Sequence, residues 1–481
     1  MKSLRHVHFI AIGGTGMGSL AGLLKARGLK VTGSDHALYP PMSTALANWG
    51  IEVVEGFSAA NVLSTLPDLV VIGNAVRGDN PEALAAIDAG LPYRSFADAL
   101  YELAIASKHC VTVSGTHGKT TTTSLCAYLL HATGRDPSFL VGGIAQDFES
   151  PFREGSGAHF VVEGDEYDTA FFDKTPKFFH YHPQTLIITS VEFDHADIYQ
   201  DLAAVKTVFR QLVDAMPSQG TVIASWNHMD VREVVSNSPC KVLRYGVEGK
   251  ELDGSTSVDF FARRIEADAE GTKFILQSPE APEREVRIPL FGRFNVENAV
   301  AALAAAWVLD VGIEESVGAL VDFQGVKRRQ ELRGCRRGVS VIDDFAHHPT
   351  AVRGSIEALR SRYSTGRLIA VFEPRSNTSR RRLFQQEYAE ALKEADVVLV
   401  QEVPHEPIYS ATGEVSEFFS ATELVAALAA CGLQASSFSS VEAIVARVAE
   451  IAEEGDVVLA MSNGAFGNIW EKLLGALGAA D

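Results

Sequence analysis

A glycine-rich turn followed by a lysine and a run of threonines carries the clearest chemical signal in this sequence. The apolar run Cys110–Val113 leads into Gly115-Thr116-His117-Gly118-Lys119-Thr120-Thr121, and a segment of helical character follows. Glycines let backbone N–H groups approach phosphate oxygens, and the lysine can neutralise β- and γ-phosphates. Thr120 or Thr121 can offer a hydroxyl to Mg²⁺. We therefore predict a nucleotide phosphate loop.

The loop departs from the strict phosphate-loop pattern at one position. That pattern places a glycine six residues before the lysine, and Val113 stands there in this sequence. A glycine turn capped by threonines is the structural alternative. The strand-like run before the turn and the helix-like segment after Lys119 favour nucleotide binding.

A second glycine-rich turn lies near the N-terminus. Gly13-Gly14-Thr15-Gly16-Met17 follows the strand-like run Val7–Ile12, and Asp35 ends the next predicted strand. Such a turn can hold a diphosphate at a helix N-terminus, and Asp35 is placed to meet a ribose hydroxyl. By itself this pattern also fits a nicotinamide dehydrogenase. Two phosphate cradles in one chain indicate a protein that binds two phosphorylated molecules.

Acidic residues and a histidine follow two predicted strands of the phosphate-loop unit. Glu163 stands at the carboxyl end of a strand, where a Mg²⁺ ligand facing a triphosphate belongs. Asp165 and Glu166, taken individually, also fit a solvated acidic turn. His195 lies between two acids, which is usually a structural setting. Since Mg²⁺ prefers oxygen, His195 would be an unusual ligand or would act through a water.

Two asparagines open an alanine-rich segment that we predict to be helical over Val296–Leu309. Asn295 can cap this helix. Alternatively, Asn295 and Asn298 can both read the edge of an adenine. Their positions alone leave both interpretations open.

Polar residues also follow the strands of the C-terminal part. Asp343-Asp344 ends one predicted strand, and the adjacent pair His347-His348 comes shortly after. Adjacent histidines of an extended chain point to opposite sides, so the pair predicts no transition-metal site. Arg375 can fork onto a carboxylate, and the loop Ser462–Gly467 can present backbone N–H groups. In an open α/β sheet such strand ends line one crevice.

Composition and charge exclude several classes of partner. The chain has 481 residues and a formal net charge of −19, which argues against nucleic acid or an anionic membrane as a main partner. Its five cysteines are scattered without a Cys-x-x-Cys motif, as expected in a reducing compartment. No signal peptide or membrane-length apolar run is evident. We expect a cytoplasmic protein.

Strand-like and helix-like segments alternate along most of the chain, which predicts an α/β fold in three domains. We expect a Rossmann-like N-terminal domain over residues 1–106. A central P-loop-type ATP-binding α/β domain with a small antiparallel sheet is expected over residues 107–325. A Rossmann-like C-terminal domain is expected over residues 326–481.

Taken together and in order, these segments resemble the Mur ligases, the ATP-dependent amide-forming enzymes of bacterial cell-wall synthesis. The resemblance implies a UDP-sugar domain, an ATP domain and an amine-binding domain. It is strongest to the branch that adds a murein tripeptide to UDP-N-acetylmuramate in peptidoglycan recycling. The runs that carry it are Glu163-Gly-Asp-Glu-Tyr-Asp168, Phe171-Phe-Asp-Lys174, Asp343-Asp-Phe-Ala-His-His-Pro349, Pro374-Arg-Ser-Asn-Thr378 and Met461-Ser-Asn-Gly464.

The resemblance implies an acyl phosphate on the lactyl carboxylate, attacked by the tripeptide amine. It implies that Lys119, Glu163 and His195 are catalytic. It also implies Mg²⁺ as the cofactor, with Thr120, Glu163 and His195 as its ligands. ATP is expected at Gly115, Thr116, His117, Gly118, Lys119, Thr120, Thr121, Asn295, Asn298, Arg329 and Asp344. The UDP-sugar is expected at Gly13, Gly14, Thr15, Gly16, Met17, Asp35 and Asn74.

Candidates for the tripeptide are Arg375, Ser462 and Asn463. A tripeptide needs a wider cleft than alanine does, and the small residues Ala346, Ser376 and Gly464 would leave room. The closest alternative is L-alanine ligation on the same scaffold. More distant alternatives are a nucleotide switch without ligation and a nicotinamide dehydrogenase. We expect a monomer without nucleic-acid or membrane partners.

Overall fold

The computed structural model describes residues 4–38, 42–252, 257–279, 281–403, 413 and 415–478. Within these ranges, three α/β units follow one another along the chain, each built on its own large sheet. No helix in the described ranges is both long and apolar enough to cross a lipid bilayer.

The first unit is a parallel sheet with helices on its faces. Its strands have the order β3-β2-β1-β4-β5. The strands that follow β1 are added first on one side of it and then on the other, which places a crevice at the carboxyl end of β1. A π-helical turn, Tyr101–Ile105, follows the last helix. The elements are β1 (His6–Ile10), α1 (Thr15–Ala26), β2 (Lys30–Asp35), α2 (Met42–Asn48), β3 (Glu52–Glu55), α3 (Ala59–Leu63), β4 (Leu69–Ile72), α4 (Pro81–Asp88), β5 (Tyr93–Ser95) and α5 (Phe96–Leu100).

The second unit is built on the largest sheet of the described chain, ordered β17-β16-β15-β14-β13-β12-β6-β9-β7-β8. The elements are β6 (His109–Ser114), α6 (Lys119–Ala132), β7 (Ser138–Ala145), β8 (Ser150–Arg153), β9 (His159–Gly164), β10 (Asp168–Ala170), β11 (Asp173–Pro176), β12 (Thr185–Ile188), α7 (Leu202–Asp214), β13 (Thr221–Ser225), α8 (Met229–Val234), β14 (Lys241–Val247), β15 (Phe260–Asp268), β16 (Gly271–Ser278), β17 (Ala281–Ile288), α9 (Arg293–Val308) and α10 (Ile313–Leu320).

The antiparallel strands of the second unit extend its main sheet. The predicted meander is present as β15, β16 and β17, but β15 pairs in parallel with β14 through Tyr245 and Phe260, so the meander is continuous with the central strands. A separate small antiparallel sheet is formed by β10 and β11. The core strand β6 lies between β12 and β9, which places the phosphate loop at the centre of the sheet.

The third unit is a mostly parallel sheet ordered β18-β19-β23-β20-β21-β22, in which β18 pairs antiparallel with β19. Helices cover both faces and close two apolar cores. The elements are β18 (Glu331–Arg336), β19 (Val339–Asp344), α11 (Pro349–Arg362), β20 (Leu368–Phe372), α12 (Gln385–Leu392), β21 (Val397–Gln401), α13 (Ala421–Ala430), β22 (Gln434–Phe438), α14 (Val441–Ile451), β23 (Val457–Met461) and α15 (Ile469–Ala476).

Candidate active site

Two glycines shape the loop between β6 and α6. Gly115 has φ +134° and Gly118 has φ +81°, values that side chains larger than glycine rarely adopt. A Cβ on Gly115 would lie 2.1 Å from Thr189 Oγ1, and one on Gly118 would lie 2.4 Å from Asn298 Oδ1. The loop therefore requires glycine at both positions because of backbone conformation and of crowding.

The residues after β12 hold this loop in place. Ser190 O accepts a hydrogen bond from Thr116 N at 3.0 Å, and Ser190 Oγ accepts one from His117 N at 2.9 Å. Thr116 Oγ1 accepts a further bond from Glu192 N at 2.8 Å. The phosphate loop is thus fixed by the neighbouring parallel strand, and the N-terminus of α6 directs its N–H groups out of the sheet.

Lys119 is paired with a carboxylate. Its Nζ donates to Gly115 O at 2.7 Å and to Glu166 Oε2 at 2.8 Å. Glu166 Oε1 also accepts a hydrogen bond from His195 Nε2 at 3.1 Å. Burial alone would raise the pKa of Glu166, but the charges of Lys119 and His195 outweigh it and lower that pKa. Asp194 and Glu166 likewise overcome burial and raise the pKa of His195 to about 9.

The interpretation of Glu166 as part of a solvated turn is wrong. Its side chain is 3% exposed and joins the two predicted catalytic residues Lys119 and His195. Asp165 instead pairs with Lys177 Nζ at 3.0 Å. No local sequence signal identifies Glu166, because its burial depends on the contact that the chain after β9 makes with the distant Lys119.

Thr120 and Glu163 form the most suitable oxygen pair for a divalent cation. Thr120 Oγ1 donates to Glu163 Oε1 at 3.1 Å, and Glu163 Oε2 accepts from Gly142 N at 2.9 Å. Burial raises the pKa of Glu163, although Lys119 opposes that effect. A hydroxyl and a carboxylate beside a phosphate loop are donors that Mg²⁺ accepts. The residues present therefore fit Mg²⁺.

The linker into the third unit reaches the same pair. Arg329 Nη2 donates to Thr120 Oγ1 at 3.1 Å, which brings a second cation to the phosphate loop. Asp344, at the end of β19, accepts from Gln330 N at 3.0 Å and from Ala346 N at 2.7 Å. Burial raises the pKa of the Asp344 carboxyl, while Arg329 opposes the shift. The predicted pair Arg329 and Asp344 thus lies at the boundary with the third unit.

The two predicted asparagines lie on α9 beside the phosphate loop. Asn298 Oδ1 accepts a hydrogen bond from Thr122 Oγ1 at 3.1 Å, and Asn298 Nδ2 donates to Asn295 Oδ1 at 3.2 Å. Asn295 does not cap the helix, because α9 begins at Arg293 after Gly292 and Asn295 Nδ2 donates to Phe291 O at 2.8 Å. The capping interpretation is therefore wrong.

The N-terminal cradle forms at the crevice of the first sheet. Asp35 Oδ2 accepts a hydrogen bond from Gly13 N at 2.7 Å, so the second strand holds the glycine turn directly. The turn continues through Gly14, Thr15 and Gly16 into the first turn of α1. Met17 lies in the first turn of α1, and its side chain is buried in the core. Asn74 Nδ2 donates to Asp168 O at 3.3 Å and joins the first unit to the second.

A cavity of about 230 Å³ lies between the second and third units. Two predicted peptide residues, Arg375 and Asn463, line it together with His195. Asn463 Oδ1 is buried without a hydrogen-bond partner, so an acceptor is available there. The further lining residues are Tyr167, Asp194, Asp197, His347, Ser376, Asn377 and Thr378.

Three residues that were expected to shape this cavity do not line it: Ser462, Ala346 and Gly464. Ser462 is buried, its hydroxyl donates to Glu373, and it accepts a hydrogen bond from Gly464 N at 2.9 Å. Ala346 is buried in the core of the third unit. Gly464 does make room, because a Cβ there would lie 2.1 Å from Arg375 Nη1. The expectation that Ala346 widens the cleft is therefore wrong, and Ser462 supports the loop instead.

The phosphate loop of the second unit is contacted by Arg329 at the start of the third unit, and the first unit carries its own glycine turn, so the fold defines a multidomain nucleotide-binding protein. Family models match the chain in the same order. Residues 6–108 match the Mur ligase family catalytic domain, residues 113–306 match the Mur ligase middle domain, and residues 328–464 match the Mur ligase glutamate ligase domain. The chain belongs to the Mur ligase family.

Individual relatives cover the whole chain. The UDP-N-acetylmuramate–L-alanyl-γ-D-glutamyl-meso-2,6-diaminoheptandioate ligase of Escherichia coli K12 is 39% identical over 98% of each chain. The UDP-N-acetylmuramate–L-alanine ligase of Agathobacter rectalis is 33% identical over 98% of this chain and 97% of its own. A crystal structure of the murein peptide ligase of Psychrobacter arcticus 273-4 superposes with a TM-score of 0.73 at 35% identity, covering 99% of each chain.

Proposed function

We propose that this protein is the ATP-dependent ligase that joins L-alanyl-γ-D-glutamyl-meso-diaminopimelate to UDP-N-acetylmuramate in peptidoglycan recycling. The observation that carries the proposal is the full-length similarity to tripeptide-adding ligases, together with a cavity between the second and third units that His195 lines. The L-alanine-adding ligase of Agathobacter rectalis is similar over the same share of this chain at 33% identity, against 39% for the tripeptide-adding ligase of Escherichia coli K12.

The residues around the phosphate loop would stabilise phosphoryl transfer from ATP to the lactyl carboxylate. Lys119 and Arg329 place two cations near Thr120, where negative charge develops in the transition state. Mg²⁺, held by Thr120 and Glu163 with His195 nearby, would supply further charge neutralisation. Gly118 and the N-terminus of α6 would contribute backbone N–H groups.

Asn295 and Asn298 lie on the side of the phosphate loop where an adenine would be read. Asn298 Nδ2 donates a hydrogen bond to Asn295 Oδ1, which fixes the orientation of both amides. Gly118 lies against Asn298, which ties the base-reading residues to the phosphate-binding turn. We assign both asparagines to adenine recognition.

The UDP-sugar would bind over the glycine turn of the first unit, with its diphosphate at the N-terminus of α1. Gly13 and Asp35 set the shape of that turn. Asn74 donates a hydrogen bond to the backbone of Asp168, the first residue of β10. It would therefore lie between the bound UDP-sugar and the phosphate loop. This arrangement would direct the lactyl carboxylate toward Lys119.

The tripeptide would enter the cavity between the second and third units. Arg375 lines that cavity and presents a planar guanidinium suited to a carboxylate of the peptide. Asn463 Oδ1 offers an acceptor to an ammonium group. The amine would attack the acyl phosphate near His195, which lies at the border of both sites.

We further propose the domain limits 1–106, 107–325 and 326–481, which are supported because each large sheet lies inside one of these ranges. A cytoplasmic location is proposed from the free cysteines, which include the buried Cys110 and Cys126. The monomeric state stays a prediction.

The test is ADP release with ATP, Mg²⁺ and UDP-N-acetylmuramate, comparing the tripeptide with L-alanine as amine. Turnover with the tripeptide and none with alanine supports the proposal. Turnover with alanine alone assigns the biosynthetic reaction instead. Absence of turnover with any amine would favour a nucleotide switch.

A further inference from the structure

A His–Glu–His cluster lies between the second and third units, beside the phosphate loop. His117 Nε2 is 3.2 Å from Glu192 Oε2, and His348 Nδ1 is 3.8 Å from the same oxygen. All three candidate ligand atoms lie within 4.8 Å of one another. Two imidazoles and one carboxylate therefore face one common point, whereas an ordinary ion pair joins only two groups.

The fold, and not local sequence, brings these side chains together. His117 belongs to the loop between β6 and α6, and Glu192 follows β12 on the neighbouring parallel strand. His348 is the N-cap residue of α11 in the third unit. Its neighbour His347 lies on the other side of the chain and lines the peptide cavity. The two adjacent histidines therefore cannot bind one metal ion together, but His348 lies close to Glu192 of the second unit.

Hydrogen bonds define which nitrogen of His348 carries the proton and which carries the lone pair that a cation needs. Its Nε2 lies 3.2 Å from Phe193 O, and a carbonyl can only accept, so Nε2 carries the proton. Its Nδ1 accepts a hydrogen bond from Thr350 N at 3.3 Å and therefore bears the lone pair, so a cation bound there would replace this N–H. Metal-binding histidines commonly donate their second N–H to a backbone carbonyl in this way, which orients the ring.

We propose that His117, Glu192 and His348 form a binding site for a zinc-type divalent transition metal across the boundary of the second and third units. Tetrahedral Zn²⁺ bonds of roughly 2.0–2.1 Å place neighbouring ligand atoms about 3.3 Å apart, which matches the observed spacing after small side-chain shifts. Two imidazoles with one carboxylate are a donor set for zinc, whereas Mg²⁺ demands oxygen. This site is separate from the Thr120 and Glu163 pair.

Such a metal would hold the third unit against the phosphate loop. Thr350 Oγ1 already donates to Glu192 Oε2 at 2.7 Å, so the carboxylate bridges the two units without an ion. A bound ion would join two ligands of the second unit, His117 and Glu192, to one ligand of the third unit, His348. Since domain opening releases products in closing enzymes, occupancy would slow turnover. The binding site itself does not depend on the proposed ligase reaction.

The test is titration of the full-length protein with Co²⁺ and Zn²⁺ in excess Mg²⁺. Co²⁺ is followed by its visible absorption, which is strong in four-coordinate sites, and Zn²⁺ by calorimetry. We expect one equivalent in the wild type and at least a tenfold weaker affinity in Glu192→Gln and in His348→Gln. The matched control is His180→Gln, because His180 also contacts two carboxylates, Asp98 and Asp173, but through opposite ring nitrogens.

Two further measurements keep the outcomes distinct. His348→Gln removes a helix cap, so its thermal unfolding is compared with that of Glu192→Gln, which leaves the cap intact. His195→Gln tests whether the ion occupies the proposed Mg²⁺ site. Unchanged binding in His195→Gln and His180→Gln supports the proposal. No stoichiometric binding in the wild type, or binding lost in His195→Gln and retained in Glu192→Gln, would overturn it.

Discussion

The Nζ of Lys119 lies 2.8 Å from Oε2 of Glu166, so the cation of the phosphate loop is neutralised by a buried carboxylate. The same carboxylate accepts from His195. A triphosphate that approaches Lys119 must compete with Glu166 for its charge. This relationship makes Glu166 a residue that both orients the loop and opposes anion binding.

Glu166→Gln is predicted to change ATP affinity and turnover in opposite directions. Removal of one negative charge should lower the KM for ATP severalfold, because Lys119 no longer shares its charge. The loss of the anchor for Lys119 and His195 should lower kcat at least tenfold. Steady-state kinetics with varied ATP measure both constants. Asp165→Asn is the control, since Asp165 bonds to Lys177, and equal behaviour of the two variants would contradict this assignment.

Arg328 is predicted to position the loop that borders the peptide cavity. Its Nη2 donates to Ser462 O at 2.8 Å and to Gly464 O at 2.6 Å, and its guanidinium lies between Phe345 and Trp470. Hydrogen bonds from a charged donor contribute about 1.5–3 kcal/mol. Arg328→Lys should therefore raise the tripeptide KM about tenfold and leave the ATP KM nearly unchanged. A rise confined to the ATP KM would refute this role.

Arg375→Ala is predicted to weaken tripeptide binding with little effect on ATP. The guanidinium lines the cavity and can pair with a peptide carboxylate. We expect the tripeptide KM to rise at least tenfold while the ATP KM stays constant. Arg447→Ala is a matched control, because Arg447 pairs with Glu450 on the surface of α14. An unchanged tripeptide KM in Arg375→Ala would remove this residue from the peptide site.

Stability should depend on pH through Asp343. Burial raises the pKa of its carboxyl to about 6, although Arg328 opposes the shift. Because the folded protein binds this proton more tightly than the unfolded chain does, Asp343 favours folding below about pH 4. That contribution is lost as the pH rises through 6. Asp343→Asn should thus gain on the order of 2 kcal/mol relative to wild type between pH 4 and pH 7.

Urea unfolding at the two pH values measures this difference. Asp456→Asn is the control with the opposite sign, because hydrogen bonds from Arg367 outweigh burial and lower the pKa of Asp456. Wild type should lose stability relative to that variant as the pH falls. A stability difference between wild type and Asp343→Asn that does not change with pH would exclude the raised pKa.

The sequence predicted the strands of the fold more closely than the roles of side chains. The strand-like run Cys110–Val113 lies inside β6, and the run Val7–Ile12 overlaps β1, because continuous apolar runs are typical of strands buried in a parallel sheet. The glycine loop with Gly115 and Gly118 was predictable since few residues tolerate positive φ. Both features depend only on residues that are close together in the sequence.

The remaining errors concern contacts between distant residues. Glu166 becomes buried only because the chain after β9 turns back toward Lys119. Asn295 bonds to Phe291 because α9 begins earlier than the predicted helix. The approach of His348 to His117 depends on how the third unit packs on the second, and no local pattern specifies that packing.

The central claim is amide formation with the murein tripeptide through an acyl phosphate. The most direct measurement uses UDP-N-acetylmuramate whose lactyl carboxylate carries heavy oxygen, incubated with ATP, Mg²⁺ and either the tripeptide or L-alanine. Mass spectrometry then follows the label into inorganic phosphate and the mass of the amide product. We predict labelled phosphate and the tripeptide adduct in equal amounts with the tripeptide alone. Unlabelled phosphate, or labelled phosphate with L-alanine only, would contradict the account.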